Sequence, residues 1–201
     1  MKYLCLDFEG VLIPEIWQYV AKETGSKELM LTTQDLKDYD ELMQLRMKVV
    51  NEKNIKLSDI QEIVKSMDPL DGAEDFLDWA RFHFQVSIVS DTFYELAWPL
   101  VEKLKFPNII CHHLNINNNR IEGYQLRQQN NKQKVVEALK SLKFEVYAAG
   151  DSYNDINMLS NADLGIFFQA PEYIKTEFPK LMTADTPVSY THLTLPKIRS
   201  V

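Results

Sequence analysis

Tyr3-Leu4-Cys5-Leu6-Asp7-Phe8-Glu9-Gly10-Val11 is a short apolar run that ends on two carboxylates, followed at once by a glycine. Such a run fits a buried strand, and the glycine permits a sharp exit from it. Taken alone, Asp7 and Glu9 fit a turn and N-cap cluster as well as they fit a reactive site. The other strand ends decide between the two.

Val86 to Val89 and Val146 to Ala149 repeat the pattern, running into Ser90 and into Gly150-Asp151. Helical patterns cover Gly72 to Phe84, Phe93 to Leu104 and Lys132 to Leu142. Strands alternating with helices predict an α/β fold with a Rossmann-like parallel sheet, whose ligands gather at the carboxyl ends of the strands. Asn108 to Cys111 and Leu164 to Phe168 are further candidate strands. Leu114 to Ile116 and Arg120 to Tyr124 flank Asn117-Asn118-Asn119, a hairpin signal.

Between the first strand and Gly72 the chain is strand-poor, with helical patterns at Pro14 to Thr24, Leu36 to Lys53 and Ser58 to Met67. This segment reads as a helical cap inserted over the site, with residues 14–69 as cap and residues 1–13 and 70–187 as core. Val188 to Val201 has neither a helical period nor a strand alternation. It is expected to be poorly ordered, with a docked strand as the alternative.

A chain of 201 residues, 45% apolar and 25% charged, suits one domain with a modest insertion. The formal charge of -7 leaves no global attraction for nucleic acid or an anionic membrane. Cys5 and Cys111 both sit at apolar runs and read as buried free thiols, which points to a reducing, cytoplasmic setting. Asp7 interrupts the first apolar stretch too early for a signal peptide or a spanning segment of about 20 residues, so a soluble protein is expected.

Gly150-Asp151-Ser152-Tyr153-Asn154-Asp155 supplies a second acidic strand end, although Asp and Asn also open helices. Mg²⁺ is usually held by one or two carboxylates plus water and substrate phosphate. Asp7 and Asp151 suit that task, with the backbone carbonyl of Glu9 as the third protein ligand. Ser90-Asp91-Thr92 follows a strand and precedes a helix, so it can hold a phosphate or simply cap the helix. Of the two nearby lysines, Lys132 shares the apolar side of its helix and Lys134 lies off it, which favours Lys132 as the cation for phosphate.

Arg46 sits within an apolar helical stripe of Tyr39, Leu42, Met43, Val49 and Val50. A charge on that face needs an anionic partner, either an internal carboxylate or a ligand. Glu15, beside Pro14 in a first helical turn, is explained most simply by the helix dipole.

Together, Asp7-Phe8-Glu9-Gly10-Val11, Ser90, Lys132 and Gly150-Asp151-Ser152-Tyr153-Asn154-Asp155 resemble the four ordered motifs of the haloacid dehalogenase superfamily. Pro14-Glu15-Ile16-Trp17, Ser90-Asp91-Thr92-Phe93-Tyr94-Glu95 and Gly123-Tyr124-Gln125-Leu126-Arg127 extend the resemblance to its phosphoserine phosphatase branch. Within that branch the chain most resembles the bifunctional phosphoserine phosphatase/phosphoserine:homoserine phosphotransferase type.

The resemblance implies Asp7 as a nucleophile that carries phosphate, and Glu9 as the acid and base. It implies Mg²⁺ as cofactor on Asp7, Glu9 and Asp151. It also implies Glu15 and Arg46 at the amino and carboxylate ends of phosphoserine, with Ser90, Asp91, Lys132 and Asn154 around the substrate. Homoserine is the acceptor alternative to water. The superfamily pattern has Asp where this chain has Glu9, and the tail after Pro187 departs from relatives of this type. The oligomeric state stays open, a homodimer among the options.

Two other readings exist. A receiver domain also combines a phosphorylated Asp with Ser/Thr and Lys, but its Asp follows a central strand in chain order, not the first. A phosphatase of the same fold for another small phosphomonoester differs only at the substrate end, where Glu15 and Arg46 argue for phosphoserine.

Overall fold

The structure, a computed structural model, describes residues 1–33, 35, 36 and 38–185. The tail expectation for Val188 to Val201 lies outside the described residues.

Among the described residues seven strands form one sheet: β1 (Lys2–Leu6), β2 (Gln85–Phe93), β3 (Ile109–Asn117), β4 (Arg120–Gln125), β5 (Glu145–Gly150), β6 (Leu164–Phe168) and β7 (Met182–Ala184). Their spatial order is β4-β3-β2-β1-β5-β6-β7, and every pairing is parallel except the β3–β4 hairpin. The helices are α1 (Ile16–Thr24), α2 (Tyr39–Glu52), α3 (Leu57–Ser66), α4 (Ala73–His83), α5 (Tyr94–Lys103), α6 (Asn131–Ser141), α7 (Ile156–Asn161) and α8 (Glu172–Glu177). No helix among the described residues is long and apolar enough to cross a membrane.

The chain runs from β1 outward to β2 and β3, then returns to β5 on the other side of β1. The sheet therefore reverses its winding between β1 and β5, and a crevice opens at their carboxyl ends. Asp7 directly follows the first of these strands and Asp151 the second.

Side chains of β1 alternate between two apolar clusters. Leu4 and Leu6 join Ile88, Tyr147, Ala149 and Ile166 on one face, where α4 and α5 pack. Cys5 joins Val89, Val146, Ala148 and Phe167 on the other, against Val135 and Val136 of α6 and Met158 and Leu159 of α7. Covering on both faces explains why these strands read as continuous apolar runs. Burial pushes the thiols of Cys5 and Cys111 up to about 12, so both are packed, unreactive groups.

The hairpin turn falls on Asn118 and Asn119, with φ of 47° and 65°, the left-handed pair that a two-residue turn requires. Its tip reaches the helices that follow β1. Asn119 accepts the Leu57 N–H on its carbonyl and the Ser58 N–H on its side chain, so it caps α3 from a distant element. The short strand predicted at Leu114 to Ile116 is the second half of β3, continuous with the run from Asn108 to Cys111.

One boundary differs in an informative way. The second strand was expected to end at Val89, but β2 continues to Phe93. Val89 pairs with Ile110 and Phe93 with His112, so Ser90-Asp91-Thr92 stands opposite the lone Cys111. This bulge, and not a helix start, displays Ser90 and Asp91 at the crevice. The α5 N-cap is Phe93, which removes the capping explanation for Ser90.

Candidate active site

Phe8 to Ile13 forms a tight loop closed by the Gly10 N–H to the Ile13 carbonyl at 2.8 Å and the Leu12 N–H to the Phe8 carbonyl at 2.9 Å. Gly10 has φ 77°, and a Cβ there would overlap the Asp151 carboxylate. The glycine thus lets the β1 loop and the end of β5 approach each other. Asp7 is buried; its Oδ1 accepts the Phe8 N–H at 2.7 Å, and its Oδ2 lies 2.9 Å from Lys132 Nζ.

Lys132, on the first turn of α6, is buried as well, and also meets Asp155 Oδ1 at 2.8 Å. Asp155 was not singled out from the sequence. It is fully buried, and its Oδ2 accepts the N–H groups of Asp151 and Ser152, each at 3.0 Å. It shapes the loop after β5 and anchors Lys132 at once. The spacing signal in the sequence identified the acidic string, but only the fold shows which of its members turns inward.

Carboxylate oxygens of Asp7, Asp151 and Asp155 come within 4.8 Å of one another. One ammonium does not balance them. Burial, then the Asp155 charge, raise the Asp7 carboxyl well above its usual range, against the opposing pull of Lys132. Burial and Asp155 push Asp151 up to about 7. Lys132 is raised well above an ordinary lysine, because Asp155 and Asp7 outweigh its own burial. An all-oxygen donor set with surplus negative charge fits a hard divalent cation. The cluster shares Asp7 and Asp151 with the expected metal set and adds Asp155; the ligand expected from Glu9 is its backbone carbonyl, not its side chain.

Glu9 Oε2 accepts the Ile16 N–H at 2.9 Å, at the start of α1. Glu15 is the N-cap residue of that helix and makes no side-chain cap bond. Glu15 thus stands one residue before the first turn in which the sequence placed it, and the carboxylate that accepts from the first amide of α1 belongs to Glu9. Burial and the neighbouring Glu9 raise the Glu15 carboxyl to about 8.

Arg46 is buried on α2 and makes no ion pair among the described residues. One terminal nitrogen donates to the Leu31 carbonyl at 3.0 Å, and the guanidinium stacks 5.1 Å from the centre of the Trp17 ring. Its Nε is buried without a hydrogen-bond partner. Of the two partners foreseen for this charge, no internal carboxylate comes within ion-pair distance among the described residues, although Glu9 and Glu15 act on it from farther away. Burial lowers its pKa, and Glu9 leads the groups that oppose this.

A cavity of about 1190 Å³ joins these groups and is lined by every residue singled out from the sequence: Asp7, Glu9, Glu15, Arg46, Ser90, Asp91, Lys132, Asp151 and Asn154. Asn154 is exposed at its mouth, 3.3 Å from Thr33 Oγ1. Tyr39, the first residue of α2, closes one side by donating its hydroxyl to the Asp91 carbonyl at 3.0 Å. Lys134 faces outward to Glu137 at 2.8 Å.

Residues 8–160 match the family model of the haloacid dehalogenase-like hydrolases. The chain belongs to that family. Among curated relatives of this hydrolase, the phosphoserine phosphatase ThrH of Pseudomonas aeruginosa is 51% identical over 187 residues, covering 92% of this chain and 91% of the relative. A phosphoserine phosphatase of Pseudomonas syringae pv. tomato is 49% identical over 183 residues, covering 90% of this chain and 77% of its own. Among solved structures, a phosphoserine phosphatase in its apo form and a phospho-aspartyl intermediate analogue of phosphoserine phosphatase each superpose with a TM-score of 0.74. Each covers 97% of this chain and 99% of the other at 20% identity, a likeness of fold.

Proposed function

We propose that this hydrolase is a Mg²⁺-dependent phosphoserine phosphatase that carries the phosphoryl group on Asp7. The observation that carries the substrate assignment is Arg46: a buried guanidinium whose Nε lacks a hydrogen-bond partner and which has no carboxylate within ion-pair distance among the described residues, lining the same cavity as Asp7. A phosphomonoester that also bears a carboxylate supplies the missing anion, and the planar guanidinium suits bidentate pairing. Glu15, held beside Glu9, would meet the substrate ammonium.

In the first step an Asp7 carboxylate oxygen bonds to phosphorus, the bond from phosphorus to the seryl oxygen breaks, and Glu9 gives that oxygen a proton. In the second, water bonds to phosphorus, Glu9 takes its proton, and the bond to Asp7 breaks. Ser90 and Lys132 would hold the phosphoryl oxygens through both steps. Mg²⁺ on Asp7, Asp151 and the Glu9 carbonyl, with Asp155 alongside, would neutralise the charge of the carboxylates and the phosphoryl oxygens. The helices between β1 and α4 serve as the cap.

Homoserine offers the same ammonium and carboxylate as serine, so the end of the cavity at Glu15 and Arg46 suits it as an acceptor in place of water. Turnover of a panel of small phosphomonoesters, with Mg²⁺ or chelator and with or without homoserine, tests both readings. The expected result is metal-dependent preference for phosphoserine, with phosphohomoserine formed when homoserine is present. Equal rates across the panel would remove the substrate assignment.

A further inference from the structure

The bulge in β2 brings Asp91 beside a residue that belongs to none of the sequence motifs. His112 is buried and pairs with Phe93 across the β2–β3 register. Its Nδ1 accepts the Arg127 backbone N–H at 3.1 Å. A ring nitrogen that accepts carries no proton, which assigns the proton to Nε2. Nε2 faces Asp91 Oδ1 at 3.5 Å.

The other Asp91 oxygen lies 3.8 Å from Lys132 Nζ, whereas Asp7 and Asp155 reach the same nitrogen at 2.9 and 2.8 Å. Of the three carboxylates around this ammonium, Asp91 alone is outside hydrogen-bond reach. Its side chain is also the most accessible, 31% exposed against 7% for Asp7 and 0% for Asp155. The backbone beside it is pinned by Tyr39 on the Asp91 carbonyl and by the Asn131 amide on the Ser90 carbonyl. What remains free is the Asp91 side-chain torsion, and His112 faces it.

An ammonium has three donors. Asp7 and Asp155 occupy two, and a carboxylate that swung onto the third would compete with any anionic ligand for it. We propose that His112 is a positioning residue that donates from Nε2 to Asp91 Oδ1, holds this carboxylate off Lys132, and so leaves the third ammonium N–H for a phosphoryl oxygen. The inference rests on the proposed function only in taking a phosphoryl group as the anion.

The test is a thermodynamic cycle on inorganic phosphate binding, measured calorimetrically on the full chain with Mg²⁺. His112→Leu keeps apolar bulk but removes the donor, and should weaken phosphate by about tenfold, the scale of one charge-assisted hydrogen bond. His112→Gln retains an N–H near the Nε2 position and should recover most of that loss. In an Asp91→Asn background the further change His112→Leu should cost nothing, because the amide has no charge with which to compete.

Phosphate affinity unchanged in His112→Leu, or an undiminished loss in the Asp91→Asn background, would overturn the proposal. Should His112→Leu fail to fold, His112→Phe takes its place in the same cycle: weaker phosphate binding that Asp91→Asn restores supports the proposal, and unchanged affinity, or a loss that Asp91→Asn does not restore, overturns it. A wild type that binds phosphate and shows this cycle, but hydrolyses no phosphomonoester, supports the positioning role and removes the phosphatase reading.

Discussion

Lys132 Nζ lies 2.9 Å from Asp7 Oδ2 and joins the first turn of α6 to the end of β1. The pair is buried on both sides, so removing the cation strands carboxylates that cannot be solvated. Lys132→Ala should abolish turnover and lower stability by about 3–5 kcal/mol. Lys134→Ala, at an exposed position, should stay within about 0.5 kcal/mol and keep full activity. Urea unfolding and phosphate release check both; similar losses in the two variants would contradict the assignment.

Asp7→Asn keeps the volume of the side chain but loses the nucleophile. It should form no acid-labile phosphoenzyme and should lose Mg²⁺-dependent thermal stabilisation together with turnover. Rapid acid quench after mixing with labelled substrate reads the first, and melting curves with and without Mg²⁺ read the second. A phosphoenzyme in this variant would place the chemistry on another residue.

Gly150 faces Asp155 so closely that a Cβ would overlap its carboxyl group. Because Asp155 is tied to Lys132 and to the loop N–H groups, it cannot simply step aside. Gly150→Ala should cost about 1–3 kcal/mol and lower turnover with it. Gly25 offers a control: its φ of 64° is left-handed, but a Cβ meets nothing within 4 Å. Gly25→Ala should cost about 1–2 kcal/mol and leave turnover intact.

Much of this architecture was legible because burial on both faces of a parallel sheet writes strands as plain apolar runs, as at Leu164 to Phe168. Lys132 was separable from Lys134 by helical period alone. What the sequence concealed depends on contacts between distant elements. The bulge at Ser90-Asp91-Thr92 is set by pairing with β3, which has no local signature. Asp155 looked like any helix-start acid until its partner from α6 was seen. His112 lies in β3, just past the apolar run that ends at Cys111, and no motif marks it. The short α8 and β7 were too brief to show a period.

The hairpin tip is tied to the start of α3. Asn119 Oδ1 accepts the Ser58 N–H at 3.0 Å, and its amide donates to Ser58 Oγ at 2.8 Å. Asn119→Ala should therefore cost about 1–2 kcal/mol, from the lost N-cap contact and from the poorer tolerance of alanine for a φ of 65°. Hydrogen exchange at the first turn of α3 should quicken while the sheet core is unaffected. Unchanged exchange there would show that the hairpin does not brace this helix.

The substrate assignment depends most on Arg46, and the most direct measurement compares kcat/KM of wild type and Arg46→Ala on phosphoserine, phosphoethanolamine and an aryl phosphate. Losing a desolvated, bidentate carboxylate contact costs on the order of 2–5 kcal/mol, or roughly 30- to several-thousand-fold. That loss should fall on phosphoserine alone, with the two substrates lacking a carboxylate nearly unchanged. Equal losses on all three would mean that Arg46 binds the phosphoryl group or braces the helices over the cavity, and would contradict phosphoserine as the substrate this pocket is built to hold.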